Sequence, residues 1–294
     1  MKILLLEDSK QIKLEYLKYL EKNNEIIKFG EKYNNDEIDA IIIRSKLVVD
    51  SELLDNFPKL KYVARVGVGL DKVDLEEAKK RNIKVLNTPW ANANAVADLV
   101  LAGVLTMARK LNLWFKWLEN RFDYMWFELW NKAVWIIGFG NIWKKIYNRF
   151  KAFWVEKFYI FDPFLKKEDV EQNDFCEFVE DKNDIFKKSD IISFHIPLLA
   201  QTKNFLGKKE FELLKKDVFI INTSRWGIID EWELINFLKE NKKANFFADV
   251  WEEENDLENP KDELLNLKNV IITPHIWAMT KESEEKMHYF ENLM

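Results

Sequence analysis

Two glycines and one aspartate are spaced as in a binding site for a dinucleotide. Gly138 and Gly140 follow an apolar run, and apolar residues then recur at helical spacing from 142 to 153. Asp162 ends the next apolar run, 24 residues after Gly138. In a strand, turn and helix, such glycines let backbone N–H groups approach a pyrophosphate, and such an aspartate binds a ribose hydroxyl. The alternative interpretation is an ordinary crossover without a ligand.

Three charged side chains, Arg225, Glu254 and His275, each follow a further apolar run. The carboxyl ends of parallel strands share one edge of a sheet, so these side chains are expected to converge. A guanidinium binds a carboxylate through two hydrogen bonds, and a histidine transfers protons near neutral pH. A carboxylate beside the histidine holds its tautomer. The set suits oxidation of an alcohol next to a carboxylate, although each residue alone is compatible with a purely structural role.

The elements that must position these residues are short apolar runs alternating with charged helical stretches. Predicted strands before residue 90 are 2–6, 40–43, 62–68 and 85–86; later ones are 134–137, 158–161, 190–194, 218–221, 245–248 and 270–272. This alternation predicts an α/β fold with two doubly wound parallel sheets. The stretch 95–111 is apolar on nearly every side, which predicts a helix buried in a core or in a homodimer interface.

Composition excludes several classes of protein. The 294 residues, 48% hydrophobic and 32% charged, suffice for two globular domains. A net charge of -5 provides no basic field for nucleic acid, and no apolar run approaches the roughly 18 residues of a membrane span. One cysteine and three histidines offer neither an intramolecular disulfide nor a zinc-binding spacing. We therefore expect a cytoplasmic protein without nucleic-acid, membrane or metal partners.

Six stretches resemble the D-isomer-specific 2-hydroxyacid dehydrogenases, a family that includes phosphoglycerate dehydrogenase. In chain order they are ARVGVGLDKVD (64–74), NTPWANANAVADLV (87–100), SDIISFHIPLLAQT (189–202), LKKDVFIINTSRWGIID (214–230), ADVWEEEN (248–255) and TPHIWA (273–278). The resemblance covers nearly the whole chain. It implies two Rossmann-like domains with the active site in the cleft between them: a flavodoxin-like catalytic domain of residues 1–93 and 277–294, and an NAD-binding domain of residues 94–276.

The resemblance also implies a role for each matching residue. Arg225 is expected to hold the substrate carboxylate and carbonyl, His275 to exchange a proton with the hydroxyl, and Glu254 to be the partner of His275. The residues implied to contact NAD are Gly138, Gly140, Asn141, Ile142, Asp162, His195, Pro197, Thr202, Thr223, Ser224 and Asp249. Those implied to contact the substrate are Arg44, Ser45, Arg65, Val68 and Gly69.

The substrate remains open between several 2-hydroxy acids. Arg44 and Ser45 resemble the phosphoglycerate branch, which favours oxidation of 3-phosphoglycerate at the entry to serine synthesis. Reduction of glyoxylate or hydroxypyruvate is an alternative. A dinucleotide-sensing corepressor is a further one, which a peptide-binding cleft on the first domain would distinguish. An inactive pseudoenzyme is the last, and it depends on the tryptophans.

Tryptophan is abnormally frequent in this chain, with 12 residues against 8 glycines, where glycine usually makes up about 7% of a protein. Six tryptophans stand where the resembled family has glycine, namely Trp90, Trp135, Trp143, Trp226, Trp232 and Trp277, and we expect Trp114, Trp117, Trp126 and Trp154 to belong with them. A decayed gene would scatter changes over all residue types. We therefore predict UGA codons that the cell reads as glycine, with Trp251 a genuine tryptophan.

Overall fold

The computed structural model describes residues 1–8, 10–114, 127–162, 176–251 and 263–289. The chain divides into two compact units, Met1–Ala93 with Ala278–Met294, and Asn94–Trp277. Each unit is built on one parallel sheet. The predicted α/β fold with two parallel-sheet domains is thereby confirmed, whereas Glu254 lies outside the described residues.

The first unit has the strands β1 (Lys2–Leu5), β2 (Glu25–Ile27), β3 (Ala40–Ile43), β4 (Tyr62–Arg65) and β5 (Lys84–Leu86). Their order in the sheet is β2-β1-β3-β4-β5. The central strand β3 is buried along its whole length, as expected for a parallel strand covered on both faces. Helices α1 (Ser51–Asp55) and α2 (Leu75–Lys80) begin at capping aspartates, each of which accepts a backbone N–H three residues on.

The second unit has the strands β6 (Ala133–Ile137), β7 (Lys157–Ile160), β8 (Cys176–Phe178), β9 (Ile191–Phe194), β10 (Phe219–Asn222), β11 (Asn245–Ala248) and β12 (Val270–Ile272). Their order is β12-β11-β10-β9-β6-β7-β8. The chain runs outward from β6 to β8 and then from β9 to β12 on the other side. The boundary between β6 and β9 is therefore a topological switch point, where ligands bind in open α/β sheets.

Helices cover the larger sheet: α3 (Ala93–Ala108), α4 (Leu111–Trp114), α5 (Asn141–Ala152), α6 (Lys182–Lys188), α7 (Lys208–Phe211) and α8 (Glu231–Glu240). The last helix, α9 (Lys281–Met287), returns to the first unit. Helix α3 lies close on β11, because a Cβ atom at Gly103 would come within 2.6 Å of the Phe247 ring. It ends earlier than the predicted 95–111, since Lys110 adopts a left-handed conformation with φ +54°.

Candidate functional site

Five adjacent strands of the larger sheet end in one row. Across β6, β9, β10, β11 and β12 the register partners are Ile137, Phe194, Asn222, Ala248 and Ile272. We call the residues that directly follow this row the carboxyl edge: Gly138, His195, Thr223, Asp249 and Thr273. Neighbouring strands lie about 4.8 Å apart. The edge therefore brings residues from five separate parts of the sequence to the switch point.

A glycine turn forms the first part of the carboxyl edge. Gly138 has φ +91°, and a Cβ atom there would lie 2.7 Å from the His195 carbonyl oxygen. Gly140 caps the N-terminus of α5, and nothing lies within 4 Å of the position of its Cβ. The backbone N–H of Phe139 donates to the Asp162 carboxylate over 3.4 Å. This turn leaves open space at a helix N-terminus, where an anion is stabilised.

The first turn of α5 contains the predicted contacts Asn141 and Ile142, which are exposed and half-buried respectively. Trp143 follows them and is buried. Its ring lies 4.5 Å from that of Phe139 and stacks at 5.0 Å on Tyr147. Among the described residues its indole N–H has no hydrogen-bond partner. Trp143 thus fills space between the helix and the glycine turn without satisfying its own donor.

His195 follows β9 and is neutral at pH 7. Burial lowers the pKa of His195 to about 3. Its Nε2 lies 2.7 Å from the Ser193 hydroxyl oxygen, whereas the buried Nδ1 has no partner within the described part of the chain. Thr202 closes the following loop, because its hydroxyl donates to the Pro197 carbonyl over 2.6 Å and accepts the Leu199 N–H over 2.7 Å.

The segment after β10 is held by the buried side chain of Asn222. Its carbonyl oxygen accepts from the Ser224 N–H and hydroxyl over 3.1 and 2.9 Å, and its amide donates to the Arg225 carbonyl over 2.8 Å. The Arg225 guanidinium is half-buried and donates to the Ser224 carbonyl over 2.7 Å. The Thr223 hydroxyl is buried without a partner among the described residues.

Asp249 fixes the loop that carries His275. The fully buried Asp249 carboxylate accepts from the Thr273 hydroxyl at 2.5 Å, the Ile276 N–H at 2.9 Å and the Trp277 N–H at 2.7 Å. Burial raises the pKa of Asp249, and these hydrogen bonds oppose that rise. His275 stands between these anchors with φ +56°. A left-handed conformation at a histidine is uncommon and persists only where the surroundings impose it.

Two tryptophans adjoin the predicted catalytic residues. The Trp277 ring lies 5.3 Å from the His275 ring, and its buried indole N–H has no partner among the described residues. The Trp226 indole N–H donates to Glu231 over 3.2 Å. Both side chains occupy space beside the predicted catalytic Arg225 and His275.

The first unit gathers the predicted substrate contacts at the carboxyl end of its own sheet. Arg44 and Ser45 follow β3, and Arg65 ends the neighbouring strand β4. Val68 and Gly69 are half-buried in the loop after β4. The Arg65 Nε–H donates to the Arg44 carbonyl over 2.9 Å. Two arginines therefore share one strand edge.

Two carboxylates outside the predicted site residues hold this strand edge. The buried Glu7 accepts the backbone N–H of Arg44 over 2.9 Å and that of Lys46 over 3.2 Å. Glu284 of α9 accepts from both terminal nitrogens of Arg44, over 2.8 Å on Nη1. Arg44 and Glu284 are 240 residues apart in sequence, so no local pattern indicates the pair.

Within the described ranges, none of the helices is long and apolar enough to cross a membrane. In the same part of the chain, no three or more His, Cys, Asp or Glu side chains form a group that could hold a metal ion.

Comparison with known sequences identifies a family model and several relatives that match this chain. The model of the NAD-binding domain of D-isomer specific 2-hydroxyacid dehydrogenases matches residues 101–276. A D-3-phosphoglycerate dehydrogenase of Methanocaldococcus jannaschii is 36% identical over 255 residues, 85% of this chain and 47% of that protein. A glyoxylate reductase of Thermococcus litoralis is 38% identical over 264 residues, 85% of this chain and 77% of that protein. The chain thus spans about half the length of the first relative.

Solved structures of dehydrogenases share the fold of this chain. An NAD-bound 3-phosphoglycerate dehydrogenase of Entamoeba histolytica is 27% identical, with a TM-score of 0.78 over 98% of this chain and 91% of that one. A D-lactate dehydrogenase of Aquifex aeolicus, in complex with NAD and lactic acid, is 25% identical, with a TM-score of 0.80 over 98% of this chain and 92% of that one.

Proposed function

Because the chain belongs to the family of D-isomer-specific 2-hydroxyacid dehydrogenases and carries its NAD-binding domain, we propose that it transfers a hydride between NAD and C2 of a D-2-hydroxy acid. The single observation that carries this proposal is the carboxyl edge. It aligns the glycine turn, the Arg225 segment and the anchored His275 loop along five adjacent strand ends.

The carboxyl edge fits NAD. The turn at Gly138 and Gly140 leaves room at a helix N-terminus for a pyrophosphate. His195 Nδ1 and Thr223 Oγ1, which are buried without a hydrogen-bond partner in the described part of the chain, would face a polar ligand. When bound, NAD supplies the acceptor for the hydride at its nicotinamide ring. The glycine turn with Asn141 and Ile142 would hold the pyrophosphate, and Asp162 would hold the adenosine ribose.

Each remaining step belongs to side chains of this protein. Arg225 binds the substrate carboxylate and so orients the C2 hydrogen. His275 accepts the hydroxyl proton as the C2–H bond electrons leave as hydride and the carbonyl forms, and it returns that proton in the reverse direction. Asp249 positions the loop of His275 through the three hydrogen bonds that it accepts. We assign Glu254 as the carboxylate partner of His275.

We propose 3-phosphoglycerate as the first substrate to test. Arg44 and Arg65 at one strand edge would suit a second anionic group, and a relative is a D-3-phosphoglycerate dehydrogenase. Reduction of glyoxylate or hydroxypyruvate is the second candidate. It is favoured by the pairing of Arg44 with Glu284, which compensates the charge of that arginine, and by a glyoxylate reductase relative.

A homodimer in the cytoplasm completes the proposal. Leu99, Leu101 and Leu105 remain half-buried on α3 and would be covered by a second copy. The sequence has one cysteine, Cys176, and so offers no intramolecular disulfide, which suits a reducing compartment. Sedimentation velocity of the purified chain tests the dimer, with a single monomer boundary at micromolar concentration as the contrary result.

The proposed activity is tested by following NADH formation with 3-phosphoglycerate and with D-glycerate, and NADH consumption with glyoxylate and hydroxypyruvate. We expect turnover of at least one of these four substrates, and His275→Ala should lower kcat/KM for that substrate by about 100-fold or more. Absence of turnover with all four substrates would overturn the proposal.

A further inference from the structure

The charge of Arg44 is compensated by a carboxylate of the last helix. Its Nη1 donates to Glu284 and to the Gln11 carbonyl, both over 2.8 Å, and its Nη2 bonds the other oxygen of Glu284. The two side chains are 15% and 16% exposed. A guanidinium and a carboxylate paired in this two-pronged way form one of the stronger ion pairs in proteins.

A hydrogen bond from His288 to the backbone of Glu284 holds this residue in place. The fully buried His288 accepts the Lys13 N–H at Nε2 over 2.9 Å, so its other nitrogen carries the proton. That nitrogen, Nδ1, donates to the Glu284 carbonyl over 2.7 Å. Burial lowers the pKa of His288, which favours this neutral form of the ring. The histidine therefore anchors the part of α9 that carries Glu284.

The pair of Arg44 and Glu284 lies where the first unit would bind a substrate. Arg44 and Arg65 stand at the carboxyl ends of adjacent strands, the edge at which open α/β sheets bind ligands. A phosphate approaching Arg44 would meet the Glu284 carboxylate beside it. The negative charges of the phosphate and of Glu284 would repel each other. Both terminal nitrogens of Arg44 already donate to Glu284, so they are not available to bind a phosphate in the same two-pronged way.

We propose that Glu284 is a specificity-determining residue, which holds Arg44 in a neutralised pair and thereby weakens selection for a phosphorylated over an unphosphorylated substrate. The inference rests on the proposed function, because it takes the substrate to be a 2-hydroxy acid. Glu284 acts through Arg44, so it is a positioning residue rather than a catalytic one.

Glu284→Gln tests this role. Glutamine keeps the length of the side chain and one oxygen that accepts from Arg44, so the fold is expected to survive. The matched control is Glu285→Gln, which removes the same charge from an exposed position on the same helix. The ligands are 3-phosphoglycerate and D-glycerate, which share the 2-hydroxy acid and differ only in the phosphate.

Equilibrium binding by calorimetry, in the presence of NADH, separates this inference from the proposed activity, because it requires no turnover. We expect Glu284→Gln to raise the affinity ratio of 3-phosphoglycerate to D-glycerate by about tenfold, the effect of one charge-assisted hydrogen bond, and Glu285→Gln to leave it unchanged. A ratio that is the same in wild type and Glu284→Gln overturns the inference. An enzyme that turns over no 2-hydroxy acid yet shows the raised ratio overturns only the proposed activity.

A different observation carries a second inference, which concerns Trp154. Helix α5 ends in a Schellman motif: the Trp154 N–H donates to the Lys151 carbonyl over 3.0 Å, and the Val155 N–H to the Phe150 carbonyl over 3.3 Å. Trp154 has φ +62° in this motif. That position strongly favours glycine, and a bulky residue there is a genuine outlier. The same motif after α2 has Asn82, which tolerates it.

The structure assigns glycine to Trp154 in the native protein, as predicted for UGA codons read as glycine. The buried indole N–H groups of Trp135, Trp143 and Trp277, which lack partners among the described residues, point the same way. Buried donors are almost always paired in native proteins. Four tryptophans thus conflict with one of two structural requirements: Trp154 with the backbone conformation at its position, and the other three with the pairing of a buried donor.

Peptide masses of the protein from its own cells test this second inference. The tryptic fragments 152–157 and 226–239 contain Trp154 and the pair Trp226 and Trp232, and fragment 244–261 contains Trp251 as a control. We expect glycine masses in the first two fragments and a tryptophan mass in the third. Tryptophan in all three overturns it. In recombinant protein, Trp154→Gly is expected to raise the unfolding midpoint, and an unchanged or lower midpoint contradicts the backbone reasoning.

Discussion

Removing the Asp249 side chain is expected to release the loop that carries His275. This carboxylate accepts two main-chain N–H groups and one hydroxyl from that loop. In Asp249→Ala the N–H groups of Ile276 and Trp277 lose their acceptor inside the protein. The Thr273 hydroxyl keeps a second acceptor, the Ala248 carbonyl at 3.3 Å.

The size of the effect follows from those contacts. Each N–H left without an acceptor costs about 1 to 3 kcal/mol, or about 2 to 6 kcal/mol for the two. Burial raises the pKa of Asp249, so removal of that buried carboxylate returns part of this cost. We expect the free energy of unfolding to fall by about 2 to 4 kcal/mol. Native proteins typically have a free energy of unfolding of about 5 to 15 kcal/mol, so the variant is expected to fold.

The assay compares unfolding in urea with steady-state kcat/KM in the same samples. Since His275 must lie within hydrogen-bond reach of the substrate hydroxyl, displacement of about 1 Å is expected to lower kcat/KM by about 100-fold. Asp190→Ala is the matched control. Asp190 also accepts a buried-strand N–H, from Ala133 over 2.8 Å, and the Lys215 ammonium over 2.8 Å, but it stands at the amino end of β9.

The control is expected to lose stability and keep kcat/KM. If Asp249→Ala loses stability by a similar amount and kcat/KM stays within about twofold of the wild-type value, Asp249 does not position His275. That result would refute the role assigned to the three hydrogen bonds.

Three further predictions concern the cofactor side of the carboxyl edge. Gly138→Ala is expected to destabilise the fold by about 2 kcal/mol or more, because its Cβ would lie 2.7 Å from the His195 carbonyl at φ +91°, whereas Gly140→Ala should fold normally and bind NADH more weakly; urea unfolding and NADH fluorescence check both, and equal stability of the two variants would contradict the clash. His195 is neutral in the fold, with its pKa lowered to about 3, so its contribution to stability is complete above pH 6.5 and declines as the pH falls toward 3. Between pH 7 and 5 the wild type should lose about 2 kcal/mol that His195→Asn does not lose, and parallel pH profiles of unfolding would exclude this linkage. Asp162→Ala is expected to raise KM for NAD about tenfold and KM for NADP much less, since it removes an acceptor for the ribose hydroxyls; an unchanged NAD to NADP ratio would exclude Asp162 as the ribose ligand.

Continuous apolar runs made most of the larger sheet predictable. The runs at 134–137, 245–248 and 270–272 coincide with β6, β11 and β12 to within one residue, because buried parallel strands are apolar on both faces. Strands β2 and β8 were missed. Each has three residues including a glutamate, and each is an edge strand whose ladder partner, not its own sequence, defines it.

The site was predictable where chemistry follows a strand end directly. Gly138, Asp162, Arg225 and His275 all come at or just after the ends of apolar runs, so their common edge could be anticipated. The partners of these residues could not. The hold of Asp249 on the 273–277 loop and of Glu284 on Arg44 joins segments 24 to 28 and 240 residues apart, which only the tertiary fold brings together.

The proposed activity requires direct transfer of the C2 hydrogen to NAD. A D-2-hydroxy acid that carries deuterium at C2, either 3-phosphoglycerate or D-glycerate, tests this transfer. We expect the purified enzyme to place one deuterium on the nicotinamide ring of the NADH formed, and the L isomer to give none. Unlabelled NADH from the deuterated D isomer, or turnover of the L isomer alone, would contradict it.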